Sequence, residues 1–208
     1  NMPEPNSPEY PDAVAEVAFP LIRAAQGRAF VLCTSLRAMR RIHEVIADKL
    51  EREKLKLPLL IQGEGSRTEL LDRFRRLGNA ILVASQSFWE GVDVPGDALS
   101  VVVIDKLPFA PPDDPVLAAR IEHMQKSGRS PFMEYQLPRA VINVKQGAGR
   151  LIRTERDKGV LAICDPRMLT KPYGKRVWQS LPPMRRSKVE AEVVAFLEQL
   201  PPPAGKVE

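Results

Sequence analysis

Ala80-Ile81-Leu82-Val83-Ala84 is a short, uninterrupted apolar run, and polar residues follow it at once, beginning with Ser85. Four more runs of the same character occur at residues 29–33, 57–61, 100–105 and 160–164. Segments with helical periodicity separate these runs. Continuous apolar strands that alternate with amphipathic helices are typical of a parallel sheet covered on both faces. The sequence therefore predicts an α/β domain.

Capping residues locate the beginnings of several predicted helices. Asp12 is expected to cap the first helix, and Thr34-Ser35 the second. Ser66 is expected to cap the third, where Glu69 completes a capping box. The predicted helices cover residues 12–25, 36–50, 66–77, 116–126, a long segment after 131, 170–178 and 187–200. Because ligands bind where parallel strands end, we expect the chemistry just after residues 33, 61, 84, 105 and 164.

Length and composition limit the class of protein. The 208 residues are 44% hydrophobic, which is enough for one domain with peripheral additions. We assign residues 12–200 to that domain, with a helical insertion at about 108–137, a linker at 1–11 and a tail at 201–208. No stretch reaches the ~20 apolar residues of a membrane span, so no membrane partner is expected.

Charge and cysteine content favour a cytoplasmic protein with an anionic partner. The formal net charge is +5. Between residues 167 and 188 there are basic residues but no acidic ones, which fits either a solvated surface or contact with a nucleic-acid backbone. Cys33 and Cys164 are far apart in sequence, and each ends an apolar run. Neither a disulfide nor a metal site is therefore expected, and the cysteine usage indicates a reducing cytosol.

The segment Gln146-Gly147-Ala148-Gly149-Arg150-Leu151-Ile152-Arg153 has the most unusual composition in the chain. In a helix, Gln146, Arg150 and Arg153 would fall at i, i+4 and i+7 and project from one face. Two glycines in one turn lower helix stability by roughly 1 kcal/mol each and allow close approach of a ligand. Such a face suits a phosphate in a cleft, although a solvated basic helix face is the alternative.

A second motif, at residues 85–96, directly follows the apolar run at 80–84 and reads SQSFWEGVDVPG. Phe88 and Trp89 could hold this loop against the core. Glu90 and Asp93 could accept a hydrogen bond from a ribose hydroxyl, from water, or from the arginines at 150 and 153. Acidic loops are common, so this motif gains weight only from its spacing to the 146–153 segment.

Together the two motifs resemble motifs V and VI of superfamily 2 helicases. FWEGVDVPG and QGAGRLIR are similar to the DinG/XPD branch, in particular to DinG and YoaA-type proteins, and FVLCTS at 30–35 resembles motif IV. The resemblance spans roughly residues 12–200. It implies a RecA-like domain of the P-loop NTPase fold, the second and C-terminal motor domain of an ATP-dependent 5′–3′ DNA helicase.

The resemblance also implies roles for particular residues. Arg150 and Arg153 would be arginine fingers on the γ-phosphate of ATP-Mg²⁺, and Gln146 would help to place that phosphate or the attacking water. Residues on the nucleotide side would be Glu90, Gly91, Asp93 and Gly149.

Positions at the strand ends predict the surface that contacts single-stranded or forked DNA. Hydroxyls, amides and helix N-termini are suited to gripping a phosphate backbone. The candidates are Thr34, Ser35, Gln62, Gly63, Ser85 and Ser87. For Thr34 and Ser35, plain helix capping is an equal alternative. In the insertion, aromatic residues lie among basic ones and could stack on bases or pack in the core: Phe109, Phe132 and Tyr135 with Arg120, Lys126 and Arg129.

Several parts of a complete motor are absent from this sequence. There is no Walker A loop, because Gly174-Lys175 is followed by Arg176 and lacks the earlier glycine. There is also no Asp-Glu-x-His box, no set of four cysteines for an iron–sulfur cluster and no arch segment. The resemblance places all of these in an N-terminal RecA-like domain, the expected partner, so the isolated chain is predicted to be inactive.

Two other interpretations remain open from the sequence. The chain could be a catalytically silent RecA-like module that binds nucleic acid, or an unrelated nucleotide enzyme with a P-loop-like fold.

Overall fold

The computed structural model describes residues 2–85, 88, 98–110, 114–152 and 157–203. Its centre is a parallel sheet in which the strands follow the spatial order β2-β3-β1-β4-β5. The strands are β1 (Ala29–Cys33), β2 (Leu59–Ile61), β3 (Ile81–Ser85), β4 (Val101–Ile104) and β5 (Val160–Ile163). All four neighbouring pairs are parallel, which confirms the α/β prediction.

Helices connect β1 to β2, β2 to β3 and β4 to β5, which suits strands that pair in parallel. The helices are α1 (Tyr10–Ala24), α2 (Leu36–Arg52), α3 (Arg67–Leu77), α4 (Pro115–Lys126), α5 (Leu137–Ala148), α6 (Arg167–Thr170), α7 (Pro172–Ser180) and α8 (Glu190–Glu198). A π-helical turn, Phe132–Gln136, runs directly into α5. The 108–137 segment thus contributes α4 and this turn.

Alternate residues of each strand face opposite sides of the sheet and build two cores. On one side, Phe30 and Leu32 pack with residues of α3, α5 and α7. On the other side, Val31 and Cys33 pack with α1, α2 and α8. Both faces of β1 are therefore buried, which explains why its sequence is uninterrupted by polar residues.

The predicted caps are correct for α2 and α3 and wrong for α1. Ser35 Oγ accepts a hydrogen bond from the Ala38 amide, and Ser66 with Glu69 forms the capping box. Helix α1 instead begins at Tyr10 after Glu9. Asp12 lies inside its first turn, where its carboxylate accepts from Arg41 at 2.6 Å.

Tyr10, at the start of α1, packs into the domain. Tyr10 is only 2% exposed, and its hydroxyl donates to the carbonyl oxygens of Asp105 (2.7 Å) and Cys164 (3.1 Å). This side chain ties α1 to the ends of β4 and β5. At the other terminus, Arg28 Nη1 donates to the carbonyl oxygen of Pro201, within the predicted tail.

Candidate nucleotide and nucleic-acid site

Asp105 connects the ends of β1 and β4 at the carboxyl edge of the sheet. Its carboxylate accepts from the Thr34 amide at 3.0 and 3.1 Å, from Thr34 Oγ1 at 3.1 Å and from the Lys106 amide at 2.6 Å. The residue is 1% exposed, and burial raises the pKa of its carboxyl to about 6 despite these donors. Thr34 is therefore fixed at the start of the β1–α2 connection.

Gln62 and Ser85 form the equivalent link between β2 and β3. Gln62 Oε1 accepts from the Ser85 amide at 2.7 Å and from Ser85 Oγ at 2.8 Å. Gly63 follows in the left-handed region at φ +108°, and a Cβ built there would meet no atom within 4 Å. The backbone at this point is consequently open to close approach by a ligand.

Asp165 holds the far side of the same edge, just after β5. Its Oδ2 accepts from the Leu107 amide at 2.7 Å, and Arg167 donates to both carboxylate oxygens. The Arg167 guanidinium also lies 5.2 Å from the centre of the Phe109 ring. The Arg167 guanidinium thus already interacts with Asp165 and Phe109, so few of its hydrogen-bond donors remain for a ligand.

The strand order brings most of the predicted nucleic-acid contacts together. Exits of β2, β3 and β1 are neighbours in the sheet, so one continuous edge carries Gln62, Gly63, Ser85, Thr34 and Ser35. Their polar groups are partly used within the fold, because Thr34 bonds to Asp105 and Ser35 caps α2. Ser87 lies outside the described residues.

Helix α5 ends before Arg150, so the prediction that Gln146 and Arg150 share a helix face is wrong. Helix α5 ends at Ala148, and Gly149 is its C-terminal cap. Gln146 and Gly149 are exposed, and Arg150 is half-buried in the turn that follows. Arg153 lies outside the described residues.

Leu151, within the motif at 146–153, packs against residues at the start of β4 and β5. A Cβ placed on Gly159 would be 2.5 Å from Leu151 Cδ1 and 2.7 Å from the Ser100 carbonyl oxygen. Since Ser100 and Gly159 immediately precede β4 and β5, Leu151 packs at the amino end of the strands. The helix runs antiparallel to its neighbouring strands, and its last turn reaches the opposite end of the sheet from Thr34 and Asp105.

Arg150 lies within electrostatic range of a second arginine. Burial and repulsion by Arg67, the first residue of α3, lower the pKa of Arg150 below its ordinary value. The Arg67 guanidinium lies 5.6 Å from the centre of the Phe88 ring. Phe88 is 6% exposed and packs in the core on this face, in line with the core contact expected for this residue. Glu90, Gly91 and Asp93 lie outside the described residues.

Three residues of this region have no role in the sequence-based prediction. Asp105 and Asp165 follow strands directly, and acidic residues at those positions are a signal that sequence inspection can detect. Arg67 offers no such signal, because it is one of many arginines in an amphipathic helix and meets Arg150 only through folding. Within the described ranges, no group of three or more His, Cys, Asp or Glu side chains is placed to hold a metal ion.

Comparison with known proteins gives a consistent result over most of the chain. Residues 19–184 match the family described as helicase C-terminal domain. The ATP-dependent DNA helicase YoaA of Escherichia coli is 51% identical over 197 residues, which are 95% of this chain and 30% of YoaA. The ATP-dependent helicase DinG of Mycobacterium tuberculosis is 41% identical over 180 residues, 86% of this chain and 26% of DinG. The chain thus spans less than a third of these relatives.

Solved structures support the fold. An XPD helicase superposes with a TM-score of 0.56 at 23% identity, covering 85% of this chain and 31% of that one. The Xpd4 protein of S. tokodaii gives a TM-score of 0.58 at 14% identity, covering 84% and 34%. The RecA-like architecture predicted from the sequence is therefore confirmed. In the described residues, no helix is both long and apolar enough to cross a membrane.

Proposed function

Because the chain belongs to the helicase C-terminal domain family, we propose that it is the second motor domain of an ATP-dependent 5′–3′ DNA helicase. Its relatives YoaA and DinG are named ATP-dependent helicases, and each continues well beyond the region that matches this chain. The remaining motor parts would come from an N-terminal RecA-like domain. ATP would then bind between the two domains.

The observation that carries the nucleotide part of the proposal is the environment of Arg150. Its guanidinium is partly desolvated and repelled by Arg67, so its charged form is less favourable than in water. A phosphate placed beside Arg150 would offset both effects, since charge-assisted hydrogen bonds to a guanidinium are strong and bidentate. Gln146 and Gly149 are exposed on the same turn, where a nucleotide from a facing domain could reach them.

In this proposal Arg150 and Arg153 stabilise charge on the γ-phosphate during hydrolysis, while Gln146 orients the phosphate or the attacking water. Mg²⁺ would be bound mainly by the other domain and by the nucleotide, because this chain has no Walker A loop or Asp-Glu-x-His box. Glu90, Gly91, Asp93 and Gly149 would contact the nucleotide and couple it to DNA.

The carboxyl edge of the sheet is the proposed DNA surface. Helix α2 begins there after Ser35, so its first-turn amides and the positive end of its dipole face outward. Gly63 and the Gln62–Ser85 pair continue the edge on the neighbouring strands. Amides and hydroxyls of this kind bind phosphates without reading bases, as a translocating motor requires.

The experiment that tests the motor role uses a protein that contains both RecA-like domains. We expect Arg150→Ala and Arg153→Ala each to lower DNA-stimulated ATP hydrolysis by about 10³ to 10⁵, as for arginine fingers in general. ATP binding, measured with a fluorescent nucleotide, should persist. Arg52→Ala, at an exposed arginine at the end of α2, is the matched control.

Normal turnover in both finger variants would refute the catalytic assignment. A wild-type protein with both domains that bound DNA without hydrolysing ATP would instead indicate a silent nucleic-acid-binding module.

A further inference from the structure

Two guanidiniums share one tyrosine ring on the helical insertion. The Arg120 guanidinium carbon lies 4.7 Å from the centre of the Tyr135 ring, and that of Arg139 lies 6.0 Å from it. Arg139 Nη1 also donates to Tyr135 Oη at 2.9 Å. These residues come from α4, the π-helical turn and α5, and we call them the Arg120–Tyr135–Arg139 cluster.

The acidic residues around this cluster are paired with other cations. Glu122 binds Lys126 at 2.6 Å, and Glu134 binds Arg129 at 2.7 Å. Within the part of the chain that the structure describes, neither arginine of the cluster has a carboxylate partner. Both arginines are exposed while the ring is half-buried. Two guanidiniums at one ring concentrate positive charge on this surface, and an external anion would be attracted to it.

The cluster lies at the same end of the sheet as the proposed DNA surface. Phe132, in the same π-helical turn as Tyr135, packs with its ring centre 5.5 Å from that of Phe109. Phe109 belongs to the segment that leaves the carboxyl end of β4. The rings of Phe109 and Phe132 pack with Tyr173 against the core, so these two phenylalanines have a structural role.

We propose that the Arg120–Tyr135–Arg139 cluster is a phosphate-binding subsite for single-stranded DNA, beyond the strand-end contacts. This inference rests on the proposed function, because it takes DNA at the carboxyl edge as given. Guanidiniums bind phosphate oxygens in a bidentate manner, and the tyrosine holds both in position before the ligand arrives. The Tyr135 ring already contacts the Arg120 guanidinium, so it positions the arginines rather than stacking on a base. The subsite is therefore expected to bind DNA without preference for base sequence.

The salt dependence of binding tests this subsite directly. The 208-residue chain is titrated into a fluorescein-labelled oligothymidylate of about 15 nucleotides, a length that exceeds most single-domain site sizes. The test variant is Arg120→Gln with Arg139→Gln. The control, Arg52→Gln with Lys56→Gln, removes the same charge from two exposed residues, one at the end of α2 and one in the connection to β2, at the amino end of the sheet.

Loss of two phosphate contacts should reduce the slope of log K against log salt concentration by about 1.4, since each contact to a single strand contributes about 0.7. The control should retain the wild-type slope. Tyr135→Ala, which leaves the net charge unchanged, should also weaken binding, whereas Tyr135→Phe should retain most of it because the ring persists. Thermal unfolding of each variant establishes that it is folded.

Equal slopes for the test variant and the control would overturn the subsite while leaving the proposed DNA surface intact. A chain that binds no oligothymidylate would overturn both, yet the hydrolysis assay on Arg150 would still decide the motor role separately. Polyglutamate is also tested as a competitor for the labelled oligothymidylate. If it competes as effectively as unlabelled oligothymidylate, the cluster is a site for an acidic protein, and the proposal is overturned.

Discussion

Replacing Asp105 with asparagine should remove a specific pH dependence from the stability of this domain. The carboxyl is 1% exposed, and its pKa is raised from 3.8 to about 6 by burial. A carboxyl with a raised pKa retains its proton in the folded state at pH values where the unfolded chain has lost it. Stability from this group is therefore present at low pH and is lost as the pH rises from about 4 to 6.

The magnitude follows from the two pKa values. Raising the pKa from 3.8 to about 6 corresponds to about 3 kcal/mol, of which about 1 kcal/mol is lost between pH 5 and pH 7. An asparagine side chain at this position has nearly the same shape as the aspartate but does not titrate. Its carbonyl oxygen can accept from the Thr34 and Lys106 amides, while its amide group donates to Thr34 Oγ1.

Urea unfolding of both proteins at pH 5 and pH 7 measures the effect. The free energy of unfolding of the variant, minus that of the wild type, should rise by about 1 kcal/mol over this interval. Other titrating groups cancel in the difference. A difference that stays constant, or that falls as the pH rises, would refute the assignment of a largely protonated Asp105 at pH 5.

Two further changes test how the sheet edge and α7 are held. Tyr10→Phe should lower the free energy of unfolding by about 1 to 3 kcal/mol, because two buried carbonyl groups lose a donor. Urea unfolding measures this loss. A loss no larger than that of Tyr135→Phe would contradict the role of the Tyr10 hydroxyl in tying α1 to the strand ends. Gly174→Ala should lower the free energy of unfolding by about 1 to 3 kcal/mol, because a Cβ there would lie 2.1 Å from the Met168 carbonyl oxygen. Lys175→Ala, next to it on the surface, should change the thermal midpoint little, and equal midpoints for the two variants would exclude close packing at position 174.

The local pattern of the sequence was sufficient to predict the architecture. The strands β1 and β4 are buried on both faces, so their hydrophobic character is continuous and recognisable without knowledge of their partners. The capping box at Ser66 and Glu69 is equally local, since both members lie within one turn. The family motifs are also contiguous segments, which is why the resemblance agrees with the later comparisons.

The same local reasoning gave the wrong geometry for the 146–153 motif. Periodicity alone extends α5 through Arg150, whereas the helix ends at Ala148. Two glycines weaken the helix at this point, and Leu151 is buried near Ser100 and Gly159 at the amino end of the strands. The burial of Leu151 depends on Ser100, about 50 positions earlier in the chain. A sequence window of one or two helical turns around the motif does not contain that residue.

The sequence by itself determined the order of helices and strands, their burial and the family, because hydrophobic period and contiguous motifs are properties of neighbouring residues. Only the tertiary structure decided which side chains of different elements meet: Asp105 with Thr34, Arg150 with Arg67, and Arg120 with Tyr135. Such encounters depend on strand order and helix packing, and residues that lie in separate elements leave no mark of their contact on the local pattern.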